Sequence, residues 1–236
     1  FGLSGIFGKL AATTPNMIAG GRAFFAVLAL GLAALLWRSR NAVRPSLRQM
    51  TLLALGGLLL GTHWVTFFEA VKVSGVAIAT LGFASFPAFT VLLEGLLFRE
   101  KVRRAEWGVV ALVSLGLVLV TPNFDLGSDA TLGLAWAVFS GLLFAMVSVT
   151  NRATTAGVKP AQAALWQNLA ILLACLPLAW SALPTVRALD WLWIALLGLL
   201  CTALAHSLFV ASLRVLNARS ASVVFALEPV YGIAFA

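Results

Sequence analysis

Charged residues are scarce in this sequence: Asp, Glu, Lys and Arg make up only 10% of its 236 residues, whereas soluble domains carry about 25%. This shortage excludes a soluble globular fold, and the long unbroken apolar blocks exclude a disordered chain. Only two cysteines are present, Cys175 and Cys201, each inside an apolar segment. They exclude a disulfide framework, and we expect two buried, unreactive thiols.

Long apolar runs fill the sequence instead, since 61% of the residues are hydrophobic. A helix that crosses a bilayer needs about 20 mostly apolar residues. The runs therefore predict an all-α polytopic membrane protein. Nine segments qualify, the first and last expected to be incomplete: a stub before Lys9, then residues 16–37, 50–71, 76–98, 107–121, 132–150, 161–183, 191–213 and 220–236.

The basic residues lie in the loops and are unevenly distributed between them. Alternate loops carry twelve Lys or Arg residues on one side of the predicted spans and three on the other, with Arg22 inside a span. Cytoplasmic loops are enriched in Lys and Arg, so we expect the N-terminus in the cytoplasm. The net charge of +8 is spread among the loops and forms no patch. We therefore expect the lipid bilayer and a small-molecule substrate as partners, and no nucleic acid.

An internal repeat is visible when residues 72–87 are aligned with residues 214–229, where five of sixteen positions are identical. A repeat unit of five spans, an odd number, places the second copy upside down. We expect two inverted five-helix repeats, 1–121 with a truncated first span and 131–236 without its last span, and ten spans in the complete protein. Inverted repeats are typical of secondary transporters, whose substrate site lies near the midplane.

Three stretches carry a resemblance to a known family: GLSGIFGKLAATTP followed by the arginine of GGRAFF, VSGVAIATLGFASFPAFTVLLEGLLFREK, and NARSASVVFALEPV. They resemble the drug/metabolite transporter superfamily, EamA type. The resemblance implies export of small metabolites across a bacterial inner membrane without a cofactor, and the amino-acid exporter branch, aromatic amino acids included, is the most similar. The two halves are not equivalent at Gln167, because the repeat predicts a counterpart of Arg22 at this position.

Two prolines occupy matching places in the repeat, Pro87 and Pro229, each expected in the middle of a span. Proline removes a helix hydrogen bond and frees the carbonyl four residues earlier, here that of Phe83 or Phe225. A freed carbonyl at membrane depth needs protein or a water-filled cavity. We interpret the pair as hinges beside the substrate site; a packing kink is the alternative.

Polar residues inside the spans are the candidates for substrate binding, since they are costly in lipid. Glu228 precedes Pro229, and an ion pair with Arg22 is its alternative role. The only histidines, His63 and His206, lie 143 residues apart and are too few for a metal site. For Glu94 we expect a salt bridge to Arg99 or Lys101. The predicted substrate-binding residues are His63, Trp64, Phe67, Thr80, Phe83, Phe86, Trp166, His206, Glu228 and Tyr231.

Two other functions are compatible with parts of the sequence. The GLSG stretch, with Ser4, fits the motif of rhomboid intramembrane proteases, but such an enzyme does not explain inverted halves. A sugar-phosphate or nucleotide-sugar carrier of the same superfamily needs several intramembrane cations, and only Arg22 is present. We therefore expect a transporter that works by alternating access, and no enzyme. The sequence leaves the energy source and the oligomeric state open.

Overall fold

The computed structural model describes most of the chain, and all the regular secondary structure in those residues is helical. The described residues are 2–36, 45–99, 101–120, 127–154, 158–225 and 227–234, without the side chains at positions 120, 229 and 233. Within them the α-helices are α1 Ser4–Leu10, α2 Pro15–Leu36, α3 Leu47–Phe83, α4 Phe86–Leu97, α5 Arg104–Val120, α6 Asp129–Thr154, α7 Pro160–Ala179, α8 Ala188–Leu196, α9 Ala205–Ser212, α10 Ala218–Phe225 and α11 Glu228–Ala234. A 3₁₀ turn, Trp180–Thr185, follows α7, and a π-helical segment, Leu197–Leu204, joins α8 to α9.

Five helical stretches among the described residues are long and apolar enough to cross a membrane: Pro15–Leu36, Leu47–Phe83, Asp129–Thr154, Pro160–Thr185 and Ala188–Ser212. Their outward faces carry apolar side chains such as Leu32 and Leu173, which lie exposed on the protein surface. Lipid is the solvent that such faces require. The prediction of an all-α polytopic membrane protein is confirmed.

Helix α3 folds back on itself at Gly75. This glycine has φ 81° and ψ 172°, a left-handed conformation that a residue with a Cβ rarely adopts. The rings of His63 and Phe83 are 5.1 Å apart, whereas a straight helix would separate them by about 30 Å. The two limbs of α3 therefore lie side by side, as the predicted spans 50–71 and 76–98 require.

The second of those spans is interrupted before its proline. Helix α3 ends at Phe83, and α4 begins at Phe86 with Pro87 as its second residue. Proline suits the first turn of a helix, where its missing N–H has no partner to lose. The sequence predicted that Pro87 kinks the middle of a helix. In the structure Pro87 instead lies in the first turn of a new helix.

The same pattern occurs near the end of the chain. Helix α10 ends at Phe225, and α11 begins at Glu228 with Pro229 as its second residue. The side chain of Pro229 lies outside the described residues, and its hinge role stays a prediction. The two helix breaks occupy the positions that the sequence alignment matches.

Two glycines allow close contacts between residues 1–121, called the first half below, and residues 131–236, the second half. A Cβ on Gly57 would lie 2.5 Å from the carbonyl oxygen of Gln167, and one on Gly198 would lie 2.7 Å from that of Arg22. Neither position has room for a side chain. Small residues at such contacts let membrane helices pack backbone to backbone, so α3 lies directly on α7, and α2 on the π segment.

Candidate functional site

Arg22 is fixed inside the bundle by the π segment. It is only 2% exposed, its Nε donates to Thr202 Oγ1 over 2.9 Å, and its Nη2 donates to the carbonyl of Cys201 over 3.3 Å. The guanidinium also lies 3.9 Å above the Trp64 ring. A π turn shifts the backbone hydrogen bonds by one residue, and the Thr202 hydroxyl follows this spacing by donating to the Leu197 carbonyl. Nη1 of Arg22 makes no hydrogen bond within the described part of the chain.

Arg22 borders a central pocket between the two halves. The pocket is a cavity of about 20 Å³, room for about one water molecule. Its lining residues are Ser4, Arg22, His63, Trp64, Phe67, Phe83, Phe144, Phe225 and Glu228. One cation and one carboxylate thus face a space whose other walls are largely aromatic.

The aromatic walls belong to a larger cluster that crosses the interface between the halves. Phe144, on α6, lies at its centre: its ring centroid is 4.9 Å from that of His63, 5.5 Å from that of Phe83 and 5.3 Å from that of Phe209. Such distances are typical of stacked and edge-to-face pairs. The cluster comprises His63, Phe67, Phe83, Phe86, Phe144, Phe209 and Phe225. Because both halves supply rings, the pocket cannot widen unless these rings separate.

The two histidines have different surroundings. His63 Nδ1 lies 2.7 Å from Ser140 Oγ, which itself donates to the His63 carbonyl, so Nδ1 is the donor. His206 Nε2 lies 2.8 Å from Gln167 Oε1, and Gln167 donates from Nε2 to Asn151 over 2.5 Å. A carbonyl oxygen only accepts, so His206 Nε2 carries its proton. His63 faces the pocket, whereas His206 belongs to a buried polar chain that does not line it.

The structure brings together only part of the predicted substrate-binding set. His63, Trp64, Phe67, Phe83 and Glu228 line the pocket, and Phe86 stacks on Phe83 with 5.0 Å between ring centroids.

The other predicted residues do not line the pocket. Thr80 is buried and its hydroxyl donates to the Val76 carbonyl of its own helix. Trp166 packs on a separate apolar cluster that includes Leu53. Tyr231 is 56% exposed. The buried face of α11 carries Glu228 and, four residues later, Gly232, whereas Tyr231 lies outside that face.

Sequence reasoning missed three residues that matter here. Phe144 and Phe209 are single aromatics in apolar spans, which carry no pattern that separates a cluster from ordinary packing. Ser4 suggested only a protease-like motif in the sequence, whereas its side chain is buried in the pocket wall. That position is visible only in three dimensions.

One end of the bundle is closed by ion pairs. Glu94 on α4 is fully buried; its Oε1 lies 2.5 Å from Arg152 Nη1 and its Oε2 lies 3.1 Å from Arg219 Nε. Arg219 Nη1 also donates to Glu106 over 3.0 Å. Both carboxylates belong to the first half and both guanidiniums to the second. We call these four residues the ion-pair network.

The expected partners of Glu94 were wrong. Arg152 and Arg219 pair with its carboxylate, in place of Arg99 or Lys101. Helix α4 ends at Leu97, and Arg99 then adopts a left-handed backbone conformation with φ 54°. The chain therefore turns away from Glu94 at the point where the two basic residues follow.

The opposite end is closed mainly through backbone groups. Asp190, on α8, accepts a hydrogen bond from the Ala12 N–H over 2.9 Å and pairs with Arg187 over 2.8 Å. Lys72 donates from Nζ to the Ala11 carbonyl over 2.5 Å. The hydrogen bonds and the charge of Asp190 raise the pKa of Arg187 above its usual value. Helix geometry places this end roughly 30 Å from the ion-pair network.

No metal site is present among the residues that the structure describes, since nowhere do three His, Cys, Asp or Glu side chains gather. Both cysteines are buried and free. The chemistry of the pocket is therefore that of one guanidinium, one carboxylate, one imidazole and one hydroxyl among aromatic rings.

Comparison with known proteins decides the family. The sequence profile of the EamA-like transporter family matches residues 1–121 and 131–236. The chain belongs to the EamA-like transporter family. The resemblance to the drug/metabolite transporter superfamily is thereby confirmed.

Relatives with 26–33% identity support this assignment. Protein RarD of Salmonella typhi is 30% identical over 127 residues, which are 53% of this chain and 43% of that protein. An uncharacterized transporter of Pseudomonas aeruginosa is 33% identical over 105 residues, 44% of this chain and 34% of its own. An uncharacterized transporter of Synechocystis is 27% identical over 203 residues, 82% of this chain and 61% of its own. The chain thus matches less than two thirds of the length of these EamA-family relatives.

A solved crystal structure has the same fold. It superposes with a TM-score of 0.73 at 21% identity and covers 99% of this chain and 82% of the other. At that identity the likeness shows the fold alone.

Proposed function

We propose that this EamA-family protein is a secondary transporter that exports amino acids with aromatic or apolar side chains by alternating access. The observation that carries the proposal is the central pocket, in which Arg22 and Glu228 face one cavity whose remaining walls are mainly aromatic. Charged side chains inside a membrane protein are costly and mark substrate pathways.

The pocket chemistry matches the three parts of such an amino acid. The Nη1 group of Arg22 is available for the carboxylate, because Nε and Nη2 already bind Thr202 and Cys201. The carboxylate of Glu228 suits the ammonium group, since opposite charges attract strongly where water is excluded. Phe83 and Phe144 offer flat apolar faces to an aromatic side chain. A zwitterion thus satisfies each charge that the pocket buries.

The closed pocket supports alternating access. It has room for about one water molecule, about 20 Å³, so an amino acid enters only when rings such as Phe83 and Phe144 separate. These two rings belong to different halves, and a movement of the halves opens the pocket. The ion-pair network joins the halves at one end, and the bond from the Ala12 N–H to Asp190 joins them at the other. Releasing one end at a time gives access from one side at a time.

We also propose that the halves are inverted repeats. The matched contacts of Gly57 on Gln167 and Gly198 on Arg22 support this relation, as do the breaks before Pro87 and Pro229. In this arrangement the prolines start the short helices that move at each break. The excess of Lys and Arg in the loops at the ion-pair network supports our proposal that this end, and the N-terminus of the full-length protein, face the cytoplasm and that the membrane is an inner membrane.

The two alternatives fit less well. A sugar phosphate carries two negative charges, and Glu228 would repel it from a pocket with a single guanidinium. A rhomboid-type protease needs Ser4 bonded to a histidine, whereas the imidazole that lines the pocket, that of His63, bonds Ser140 through Nδ1. The proposal is therefore a transporter and not an enzyme.

Counterflow in proteoliposomes made with the full-length protein tests the function. Liposomes loaded with unlabelled phenylalanine should accumulate labelled phenylalanine and tryptophan, and protein-free liposomes should not. Counterflow of glucose 6-phosphate in place of any amino acid would refute the proposed substrate class.

A matched pair of variants tests the pocket itself. Phe144→Leu should lower the rate of phenylalanine counterflow roughly tenfold, because a lost ring contact of about 1.4 kcal/mol corresponds to that factor. Phe139→Leu, on the same helix but 44% exposed, should leave the rate unchanged. Equal rates for the two variants would place the substrate elsewhere.

A further inference from the structure

The π segment presents a backbone carbonyl to Arg22. An α-helix would direct the Ala205 N–H to the Cys201 carbonyl, four residues earlier. In this structure the Ala205 N–H donates instead to the carbonyls of Leu200 and Thr202. The Cys201 carbonyl accepts a hydrogen bond from Arg22 Nη2 over 3.3 Å. The π turn thus offers the guanidinium an acceptor that an α-helix would use within itself.

The Thr202 side chain orients another edge of the same guanidinium. Thr202 is fully buried, and its hydroxyl donates to the Leu197 carbonyl over 2.9 Å. Because the hydroxyl proton is used in that bond, the oxygen lone pairs are left for Arg22 Nε, which lies 2.9 Å away. The direction of both hydrogen bonds between Arg22 and Leu197 is therefore fixed.

Two further contacts hold Arg22 in place. Gly198 lies four residues before Thr202, and a Cβ on it would be 2.7 Å from the Arg22 carbonyl oxygen. The π segment therefore packs on the backbone of Arg22 as well as binding its side chain. The Trp64 ring lies against the face of the guanidinium, 3.9 Å away. All these contacts belong to the interior of the bundle, beside the central pocket that Arg22 lines.

We propose that Thr202 is a positioning residue for Arg22, and that its hydroxyl turns the guanidinium so that this group binds the substrate carboxylate in the central pocket. The inference rests on the proposed function and names the residue on which selection for a carboxylate depends. Thr202 is not among the described residues that line the pocket, so it acts through Arg22. A guanidinium binds a carboxylate specifically only when its N–H groups point at the oxygens.

Positioning of this kind predicts which ligands the site distinguishes. Phenylalanine and phenylalaninamide share the ring and the ammonium group, and the amide lacks the carboxylate. A correctly oriented Arg22 should therefore favour phenylalanine. Loss of the orientation should weaken phenylalanine and spare the amide, whereas a general loosening of the fold would weaken both ligands alike.

The first experiment measures the affinity of the full-length protein in detergent for phenylalanine and for phenylalaninamide. Wild-type protein should bind phenylalanine at least about tenfold more tightly than the amide. Thr202→Val removes the hydroxyl and keeps the branched shape. It should weaken phenylalanine roughly tenfold, as expected for a lost hydrogen bond to a charged group, and change the amide by about twofold or less.

Two further variants control this experiment. Thr202→Ser retains the hydroxyl and should keep the wild-type preference for phenylalanine. Thr90→Val removes a hydroxyl that is equally buried but donates to Phe86 within its own helix, and it should change neither affinity.

The outcomes separate this inference from the proposed function. Equal weakening of both ligands by Thr202→Val would give Thr202 a structural role alone and overturn the inference, and so would unchanged binding of phenylalanine. If Thr202→Val does not fold, Thr202→Ala removes the same hydroxyl with a smaller side chain, and the same outcomes apply. A wild-type protein that binds neither ligand would instead overturn the proposed function, and this inference with it.

A double-mutant cycle tests whether Thr202 acts through Arg22. Arg22→Lys keeps the positive charge but lacks the planar fork, and it should weaken phenylalanine roughly tenfold. Adding Thr202→Val to Arg22→Lys should weaken phenylalanine by about twofold or less beyond that, because the hydroxyl then has no guanidinium to orient. A further loss of about tenfold in the double variant would show that Thr202 acts by another route, and would overturn the inference.

Discussion

The two halves of the molecule meet through the same kind of backbone contact but with different side chains. In each half a glycine receives a backbone carbonyl of the other: Gly57 receives that of Gln167, and Gly198 receives that of Arg22. The side chains at these carbonyls differ, because Arg22 brings a charge to the pocket whereas Gln167 bonds His206 in a neutral chain. Each close contact requires a glycine opposite a backbone carbonyl, and it places no such requirement on the side chain of the residue that carries the carbonyl.

The charged side chains of the ion-pair network also differ between the halves. In the ion-pair network the first half supplies Glu94 and Glu106, and the second half supplies Arg152 and Arg219. The attraction therefore acts between the halves and not within either of them. The charged groups at the pocket and in the ion-pair network therefore lie in side chains that differ between the halves.

The largest effect should follow from removing the carboxylate on which this division of charge depends. Glu94→Gln leaves two guanidiniums next to each other in a buried site, so the free energy of unfolding should fall by about 3 kcal/mol. Thermal unfolding of the purified protein in detergent measures it. Glu106→Gln is the control, because Glu106 is partly exposed and should cost about 1 kcal/mol or less. If the two variants were equally stable, Glu94 would not be the centre of the network.

A smaller effect should test whether the two glycine contacts are equivalent. Gly57→Ala and Gly198→Ala each place a methyl group against a backbone carbonyl of the other half, and each should lower the free energy of unfolding by about 2 kcal/mol.

The control for these variants is Gly31→Ala on α2, where a Cβ meets no atom within 4 Å. It should be neutral or stabilising by up to about 1 kcal/mol, since alanine favours helix. A strong effect at only one of the two contact glycines would mean that the contacts are not a matched pair.

The smallest effect should separate the two histidines. His63→Gln removes a pocket-lining imidazole and should raise the half-saturation concentration for phenylalanine counterflow roughly tenfold, a change of about 1.4 kcal/mol. His206→Gln changes a residue outside the pocket and should alter it by about twofold or less. Because both lie in buried hydrogen-bond networks, melting temperatures must be compared first. An equal rise for both variants would argue that the halves contribute alike to the site.

Several features of the fold followed from local sequence. The apolar runs predicted the helices, and the gap between the predicted spans 50–71 and 76–98 contains Gly75, where α3 turns back in the structure. Pro87 and Pro229 located the helix breaks within a few residues. Their effect was misjudged in one respect, since proline begins α4 and α11 at these breaks where we expected kinks inside longer helices.

The composition of the site was less predictable. Pocket residues such as His63 and Glu228 stood out because polar groups are rare in apolar spans. Phe144 gave no such signal, and the partners of Glu94 lie 58 and 125 residues further along the chain. No local pattern links residues at those separations.

The sequence by itself therefore determined that this chain crosses a membrane, roughly where its helices lie and which family it resembles. Membrane insertion depends on the composition of about 20 consecutive residues, which is a local property. Only the tertiary structure decided which ring fills the pocket, which arginines meet Glu94 and where the hydroxyl of Ser4 lies. In a bilayer, an apolar side chain is as well solvated by lipid as by a neighbouring helix. The rotation of each helix is consequently set by close packing and polar contacts with its neighbours, and those contacts come together only in the folded bundle.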